Sequence, residues 1–293
     1  MKLKNSYHLY AIIAVLCWAL AYVYTKLALQ YYSPMSVGFL RYFLASILLI
    51  IVLIIGKVKP PQKKDFLWFL ASGTLGFSLY MVFFNTGMQQ VTAATSSILI
   101  STAPIFTALL GWIVLKESLK AYQWIAVFLE FTGILLLTLI GGNFTSNNGA
   151  FLLLLCAVML AFYNLIQRKL TRSYTALQVT AYSILIGTIM LSVFSPTALR
   201  ELKNAPSNQV VNIIILGIFP SAIAYVSWTQ AIAKAKKTSQ ATIYMFFIPL
   251  LSALTGFLIA GEKLELSTIL GGTVIIFGML LFNRDAFAKN GHY

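Results

Sequence analysis

Long runs of apolar residues follow one another along the whole chain, and only short polar segments separate them. A bilayer core about 30 Å thick requires about 20 predominantly apolar residues for each helix that crosses it. The runs match this length, and the segments between them are too short to fold alone. The pattern predicts ten membrane-spanning helices, near residues 8–27, 35–56, 66–87, 95–115, 121–140, 149–168, 176–195, 210–232, 239–260 and 266–284.

The composition agrees with a membrane protein. Hydrophobic residues make up 59% of the 293 residues and charged residues only 10%, which is more apolar surface than a soluble domain needs. The predicted fold class is therefore an all-α, multi-pass membrane protein.

The two halves of the chain also share identical residues at a constant offset of 145 positions. Internal repeats in an apolar chain are typical of secondary transporters, whose substrate site lies between the repeats. We therefore divide the chain into two five-helix repeats, residues 1–141 and 149–285. The repeated residues are Pro104, Ala108, Leu109, Gly111, Glu117, Leu119 and Gly133, which recur as Pro249, Ala253, Leu254, Gly256, Glu262, Leu264 and Gly278, and Tyr80, which recurs as Tyr225.

Basic residues are concentrated in alternate loops, which orients the predicted helices. Of the 21 Lys and Arg residues, only Lys26, Arg41, Arg200, Lys203 and Lys263 fall on the side opposite the N-terminus. By the positive-inside rule both termini are cytoplasmic, and five crossings in each half make the two halves inverted copies of one another. The net charge of +14 therefore indicates a membrane orientation and not the binding of nucleic acid.

The sequence contains no pattern that indicates an enzyme. There is no phosphate-binding loop for nucleotide hydrolysis, and His8 and His292 lie near the termini, far from any paired carboxylates. Cys17 and Cys156 fall inside predicted helices, where a lone thiol behaves as a small apolar group. We therefore expect no catalytic residues, no cofactor and no metal site.

Aromatic and polar side chains at matching positions of the two halves predict a central substrate site. Trp18 and Tyr22 share one face of a helix, and Tyr163 stands at the offset position of Trp18. Such groups, projecting from several helices, suit a planar or cationic ligand. The candidate substrate-binding residues are Trp18, Tyr22, Arg41, Tyr80, Phe83, Phe84, Ser97, Ser101, Tyr163, Asn164, Gln167, Tyr225, Trp228 and Tyr244.

Each of these residues has a structural alternative. Any single aromatic ring could face lipid or belong to an interfacial belt, and Ser97 and Ser101 could serve close helix packing. Arg41 is expected toward the outer surface, where it either attracts a substrate carboxylate or extends to the lipid headgroups.

Two prolines and one acidic residue are further candidates. Pro104 and Pro249 fall inside the predicted helices four and nine, where each removes a backbone hydrogen bond and forms a hinge or gate, or a tolerated kink. Glu130 is the only acidic residue near the middle of a predicted span. It is either a proton-coupling group or a neutral acid in a peripheral helix, because hydrocarbon disfavours the charged form.

Together these features resemble the EamA-type ten-helix transporters of the drug/metabolite transporter superfamily. The resemblance rests on the ten spans, the two inverted halves, the arginine of Phe39-Leu40-Arg41, and the element from Pro104 to Glu117 that is repeated from Pro249 to Glu262. It implies a central cavity lined by helices one to four and six to nine. Helices five and ten would be peripheral, which would leave Glu130 outside the cavity.

The resemblance implies a secondary transporter of the plasma membrane (the inner membrane in bacteria) that works by alternating access. Its closest analogy is to exporters of amino acids, aromatic ones included, or of related small metabolites. The expected partners are a small-molecule substrate, membrane lipids and protons as a coupling ion, and the two joined halves predict a monomer. An alternative is a transporter of organic cations, drugs or choline-like compounds, held by cation–π contacts. A third possibility is a membrane scaffold without transport activity.

Overall fold

The computed structural model describes residues 7–115, 120–140, 148–235, 241, 243–263, 265–282 and 284. Within these residues the chain is helical and contains no β-strand. Six helical stretches are long and apolar enough to cross a membrane: Tyr7–Ala28, Pro34–Ile55, Lys63–Met88, Asn148–Leu170, Ala176–Lys203 and Ser207–Lys234. Three shorter apolar stretches are Ala93–Thr107, Phe247–Ala260 and Thr268–Phe282. The protein is an all-α, multi-pass membrane protein, whereas the count of ten spans and their inverted repeat stay predictions.

The α-helices are numbered in chain order. They are α1 Tyr7–Ala28, α2 Pro34–Ile55, α3 Phe66–Gly73, α4 Leu79–Met88, α5 Ala93–Ile100, α6 Ala103–Leu115, α7 Ala121–Ile140, α8 Asn148–Leu170, α9 Ala176–Leu191, α10 Ser195–Lys203, α11 Ser207–Leu216, α12 Ala224–Lys234, α13 Phe247–Ala260 and α14 Leu266–Phe282. Short 3₁₀ turns occur at Lys63–Asp65, Ser192–Phe194 and Ile243–Phe246.

Two π-helical segments lie at nearly equivalent places in the repeat. Thr74–Ser78 joins α3 to α4, and Gly217–Ile223 joins α11 to α12. The offset of 145 residues maps the first segment onto the last five residues of the second. Wider turns of this kind interrupt the regular helical hydrogen bonds and are frequent at functional sites.

The predicted helix over 95–115 is divided. Helices α5 and α6, which together cover the predicted span, are separated by a turn at Ser101 and Thr102. Pro104 is the second residue of α6 and Pro249 the third residue of α13, which follows the 3₁₀ turn Ile243–Phe246. Both prolines therefore occupy a first helical turn, where a missing N–H breaks no helical bond. The predicted end of a helix at 195 is also too early, because α10 continues to Lys203.

The repeated glutamate of the second half fixes the start of α5. Both carboxylate oxygens of Glu262 accept a hydrogen bond from Ala93 N, at 3.0 and 3.2 Å, which satisfies an amide that has no partner within its helix. Gly261, with φ of +64°, turns the chain so that Glu262 follows α13 directly. Ser252 on α13 also donates to Ala93 O. Glu117, the counterpart of Glu262, lies outside the described residues.

The loops after α2 and α8 are joined through Tyr174. Its hydroxyl donates to Asp65 Oδ2 at 2.6 Å and accepts from Gln62 N at 3.1 Å. The hydrogen bond to the Asp65 carboxylate raises the pKa of Tyr174 because it favours the neutral phenol.

We expect Tyr174→Phe to lower the free energy of unfolding by about 1 kcal/mol, the net value of such hydrogen bonds. Because the folded pKa is raised, the contribution is complete below about pH 10 and is lost as pH rises through the folded value. Unfolding in detergent at neutral pH and above pH 10 measures this difference. A cost that is equal at both pH values would contradict the assignment of the bond to the neutral phenol.

Candidate functional site

A central cavity of about 40 Å³ lies between helices from both parts of the chain. This volume is well below the roughly 300–1,000 Å³ of small-molecule sites, so a ligand larger than a few water molecules would need the walls to separate. Apolar and aromatic side chains dominate its walls, and one charged residue joins them. The lining residues are Trp18, Ala21 and Tyr22 of α1, Arg41 of α2, Tyr80, Met81 and Phe84 of α4, Ile100 of α5, Leu160, Tyr163 and Asn164 of α8, Tyr225 and Trp228 of α12, Met245 of the 3₁₀ turn, and Ile248 of α13.

Aromatic rings in mutual contact form one wall of the cavity. The ring centroid of Trp18 lies 5.3 Å from that of Tyr225 and 5.2 Å from that of Trp228. The Trp18 indole also donates from Nε1 to Pro220 O at 3.2 Å, in the second π segment. Because this hydrogen bond and these ring contacts restrict its rotation, Trp18 presents a fixed face to the cavity.

A second wall is built around the other π segment. Tyr163 lies directly over Gly76, where a Cβ atom would come within 2.2 Å of Tyr163 Cδ2. The Tyr163 ring also contacts Phe77, at a centroid distance of 5.4 Å. Trp18 and Tyr163, which are related by the repeat offset, thus each contact a π segment in the other part of the chain.

Arg41 brings a buried positive charge to the cavity. Its side chain is only 2% exposed, and its Nε donates to Ser221 Oγ at 2.8 Å. Ser221 Oγ in turn donates to Leu216 O at 2.8 Å, so the serine is held by its own helix. No Asp or Glu is among the described residues that line the cavity.

A polar cluster closes the space behind the tyrosines. Thr229 Oγ1 lies 2.8 Å from Thr180 Oγ1 and donates to Gln167 Oε1 at 3.2 Å. All three side chains are fully buried. The cluster joins α8, α9 and α12, so its contacts are those of helix packing.

Most of the predicted site residues come together in the cavity. They are Trp18, Tyr22, Arg41, Tyr80, Phe84, Tyr163, Asn164, Tyr225 and Trp228. That they bind a substrate stays a prediction. At 2% exposure Arg41 does not extend to the surface of the helix bundle, whereas its depth in the bilayer stays a prediction.

The remaining predicted residues do not line the cavity. Phe83 is half-buried beside it, and Ser97 is buried and donates back to Ala94 O of its own helix. Ser101 is buried at the turn between α5 and α6, and Gln167 belongs to the polar cluster. Ser101 Oγ has no hydrogen-bond partner among the described residues, and none of the four positions lies in the cavity wall.

Tyr244 also lies outside the cavity wall. Its hydroxyl is hydrogen-bonded to His8 Nδ1, and the two rings meet edge to face. This contact joins the beginning of α1 to the 3₁₀ turn before α13.

Sequence reasoning missed the aliphatic lining. Ala21, Met81 and Leu160 resemble the many core and lipid-facing residues of this chain and carry no distinguishing signal. Ile100 and Met245 did carry one, because they share the repeat offset and each precedes a repeated proline by one turn.

Glu130 lies outside the cavity, between α7 and α14. It is 1% exposed, and neither carboxyl oxygen has a hydrogen-bond partner among the described residues. A Cβ atom on Gly278 would lie 2.8 Å from Glu130 Cγ, and one on Gly133 would lie 2.6 Å from Ile275. Each glycine therefore faces a side chain of the other helix, and the two helices pack closely. The location agrees with the peripheral position that the family resemblance implies.

Comparisons with known proteins bear on both halves of the chain. The profile of the EamA-like transporter family matches residues 5–139 and again residues 147–284. An uncharacterized transporter of Archaeoglobus fulgidus is 28% identical over 93% of this chain and 96% of its own length. The uncharacterized transporter YdfC of Bacillus subtilis is 29% identical over 89% of this chain and 86% of its own.

One relative has a more specific name. A probable terminal-alkyne amino-acid exporter of Streptantibioticus cattleyicolor is 29% identical over 95% of this chain and 93% of its own length. A solved crystal structure superimposes with a TM-score of 0.65 at 17% identity, covering 95% of this chain and 99% of the other. At that identity the superposition concerns the fold alone.

Proposed function

The chain belongs to the EamA-like transporter family, and from this premise we propose that it is a secondary transporter that exports amino acids, aromatic ones included, or related small metabolites. One observation carries the proposal: the aromatic cavity between the two parts of the chain, with Arg41 in its wall and no lining Asp or Glu among the described residues. The name of the Streptantibioticus cattleyicolor relative supports amino acids as the substrate class. The chemistry of the cavity suits them, because a carboxylate and an apolar side chain find complementary groups.

The proposed architecture is two inverted five-helix repeats, residues 1–141 and 149–285, that make ten spans in the plasma or bacterial inner membrane. Both termini would be cytoplasmic, and the protein would act as a monomer with lipids around it. The double family match and the two π segments at one offset support this arrangement. The distribution of Lys and Arg supports the orientation.

The proposed mechanism is alternating access, in which one repeat moves against the other around the cavity. Pro104 and Pro249 each follow a break in the helix that leads to the cavity, so the breaks beside them would act as hinges. In the proposed orientation the hydrogen bond between His8 and Tyr244 lies on the cytoplasmic side. Tyr244 would then contribute to a gate rather than to the substrate site.

The cavity bears differently on the two alternative functions, organic-cation transport and a membrane scaffold. Aromatic walls favour an organic cation, since the faces of Trp and Tyr attract positive charge. Arg41 opposes it, because a buried cation repels a second one in a medium of low dielectric constant. A membrane scaffold would have no use for a binding cavity.

Counterflow in proteoliposomes tests the proposal. Vesicles loaded with one of a panel of amino acids and quaternary amines would be exposed to labelled phenylalanine. Exchange with a few zwitterionic amino acids supports the proposal, whereas exchange with quaternary amines alone would favour the cation transporter. Silence across the panel, with protein shown to be folded and inserted, would contradict the amino-acid substrate.

We expect Glu130→Gln to retain exchange and to change the free energy of unfolding by less than about 1 kcal/mol, because the neutral amide has nearly the size of a neutral carboxylic acid. Counterflow and unfolding in detergent measure both effects. If Glu130 carries a coupling proton instead, the variant would keep counterflow but lose transport driven by a pH gradient. That outcome would return Glu130 to the mechanism despite its distance from the cavity.

A further inference from the structure

The charge of Arg41 is taken out of water without a compensating negative charge in the cavity. The side chain is 2% exposed, and its hydrogen-bonding contacts are the neutral oxygen of Ser221 and the sulfur of Met81, 3.8 Å from one terminal nitrogen. The cavity wall contributes no carboxylate among the described residues. A buried charge is costly unless it is paired, so an anion that enters this cavity gains a strong interaction.

Among the described residues, the terminal nitrogens of Arg41 make no hydrogen bond other than the one to Met81, so they are available to that anion. Ser221 accepts from Nε, and Ser221 is itself fixed by its bond to Leu216 O. A thioether sulfur is only a weak acceptor, so the terminal N–H groups of Arg41 have no strong partner in Met81. The planar guanidinium presents such groups as a fork that matches the two oxygens of a carboxylate.

The side chains around Arg41 determine which other chemical groups a bound ligand can have. Tyr22 and Tyr225 line the same cavity as Arg41, and the Tyr225 ring centroid lies 5.3 Å from that of Trp18. A carboxylate bound at Arg41 would therefore extend its remaining atoms along aromatic faces. Within the described part of the chain no acidic group lines the cavity, so a substrate ammonium would meet ring faces and neutral groups there.

We propose that Arg41 is the specificity-determining residue of the cavity and binds the carboxylate of the substrate. The substrate class is then a small carboxylate with an apolar or aromatic body, and the α-ammonium group is dispensable for recognition. Ser221 is a positioning residue that holds the guanidinium. The inference rests on the proposed transport function and adds that the substrate must have a carboxylate.

Three probes with the same ring test this on the wild-type protein. Phenylalanine, 3-phenylpropanoate and phenylalaninamide would compete against labelled phenylalanine in counterflow. We expect 3-phenylpropanoate to compete within a few-fold of phenylalanine, and phenylalaninamide to be weaker by about tenfold to a hundredfold, the value of a charge-assisted hydrogen bond pair. Equal competition by phenylalanine and its amide would overturn the inference while leaving the transport function intact. No exchange of labelled phenylalanine would overturn the proposed function, and the inference with it.

Variants of Arg41 provide a second readout. In Arg41→Gln the preference for the acid over the amide should fall to nearly onefold, whereas Arg41→Lys should keep part of it and Ser221→Ala should reduce it. Arg200→Gln is the matched control, because it removes the same charge at an exposed position. A preference retained in folded Arg41→Gln would overturn the inference. If Arg41→Gln does not fold, the acid-to-amide ratio of Ser221→Ala and of the wild type decides.

Discussion

Trp228→Ala is expected to reduce amino-acid exchange by at least about tenfold and to lower the free energy of unfolding by about 3–5 kcal/mol. The indole is 1% exposed, lines the cavity and contacts the Trp18 ring at 5.2 Å. Its removal leaves a void in the wall and takes away the ring that limits the motion of Trp18. Counterflow of labelled phenylalanine and unfolding in detergent measure the two effects separately.

The control removes an equally large ring elsewhere. Trp124 lies on α7, is 41% exposed and does not line the cavity. Trp124→Ala should therefore keep exchange near the wild-type level. Trp228→Phe, which keeps an aromatic face, should fold and recover part of the exchange. Wild-type exchange by Trp228→Ala would exclude this wall from the substrate site.

The second large effect is expected for Gly76→Ala, which adds one methyl group to the first π segment. Its Cβ would stand 2.2 Å from Tyr163 Cδ2 and 2.6 Å from Cε2, so the ring or the backbone must move. Overpacking of this kind costs about 1–3 kcal/mol, and moving Tyr163 changes the cavity wall. We expect lower stability and a loss of exchange of about tenfold.

Two comparisons isolate the cause. Gly272→Ala places its Cβ 2.7 Å from the terminal carbon of Ile98, which can rotate away, so the cost should stay below about 1 kcal/mol. In a Tyr163→Ala background the added methyl group of Gly76→Ala meets an empty space. The two changes should therefore be strongly non-additive. Additive destabilisation would show that the backbone, and not the contact with Tyr163, requires the glycine.

The helical architecture could be predicted from the sequence because the bilayer fixes the length and apolar character of each helix that crosses it. Apolar runs of the length that a membrane requires predicted most helical stretches within a few residues. The sequence was less informative about the interruptions. Pro104 indicated an interruption close to the turn at Ser101 and Thr102, whereas hydrophobic periodicity did not locate the two π segments.

The repeat offset was the most informative signal for the cavity. It paired Trp18 with Tyr163 and Tyr80 with Tyr225, and all four line the cavity wall. Ser97 and Ser101 were selected because they precede Pro104, not by the offset, and neither lines the cavity. The hydrogen bond between Arg41 and Ser221 spans 180 residues and had no sequence signal, because only the fold brings the two helices together.

The hydrogen bonds that cross the cavity also separate two kinds of ligand. Trp18 donates to Pro220 O, and Arg41 donates to Ser221 Oγ, so donors of the N-terminal part hold acceptors of the C-terminal part. A ligand that takes over either donor weakens this attachment, and its affinity then differs between conformations. Because a ligand shifts a conformational equilibrium only through a difference in affinity, a molecule that binds only while both bonds are intact would hold the protein in this one conformation. Such a molecule would be an inhibitor of the protein rather than its cargo.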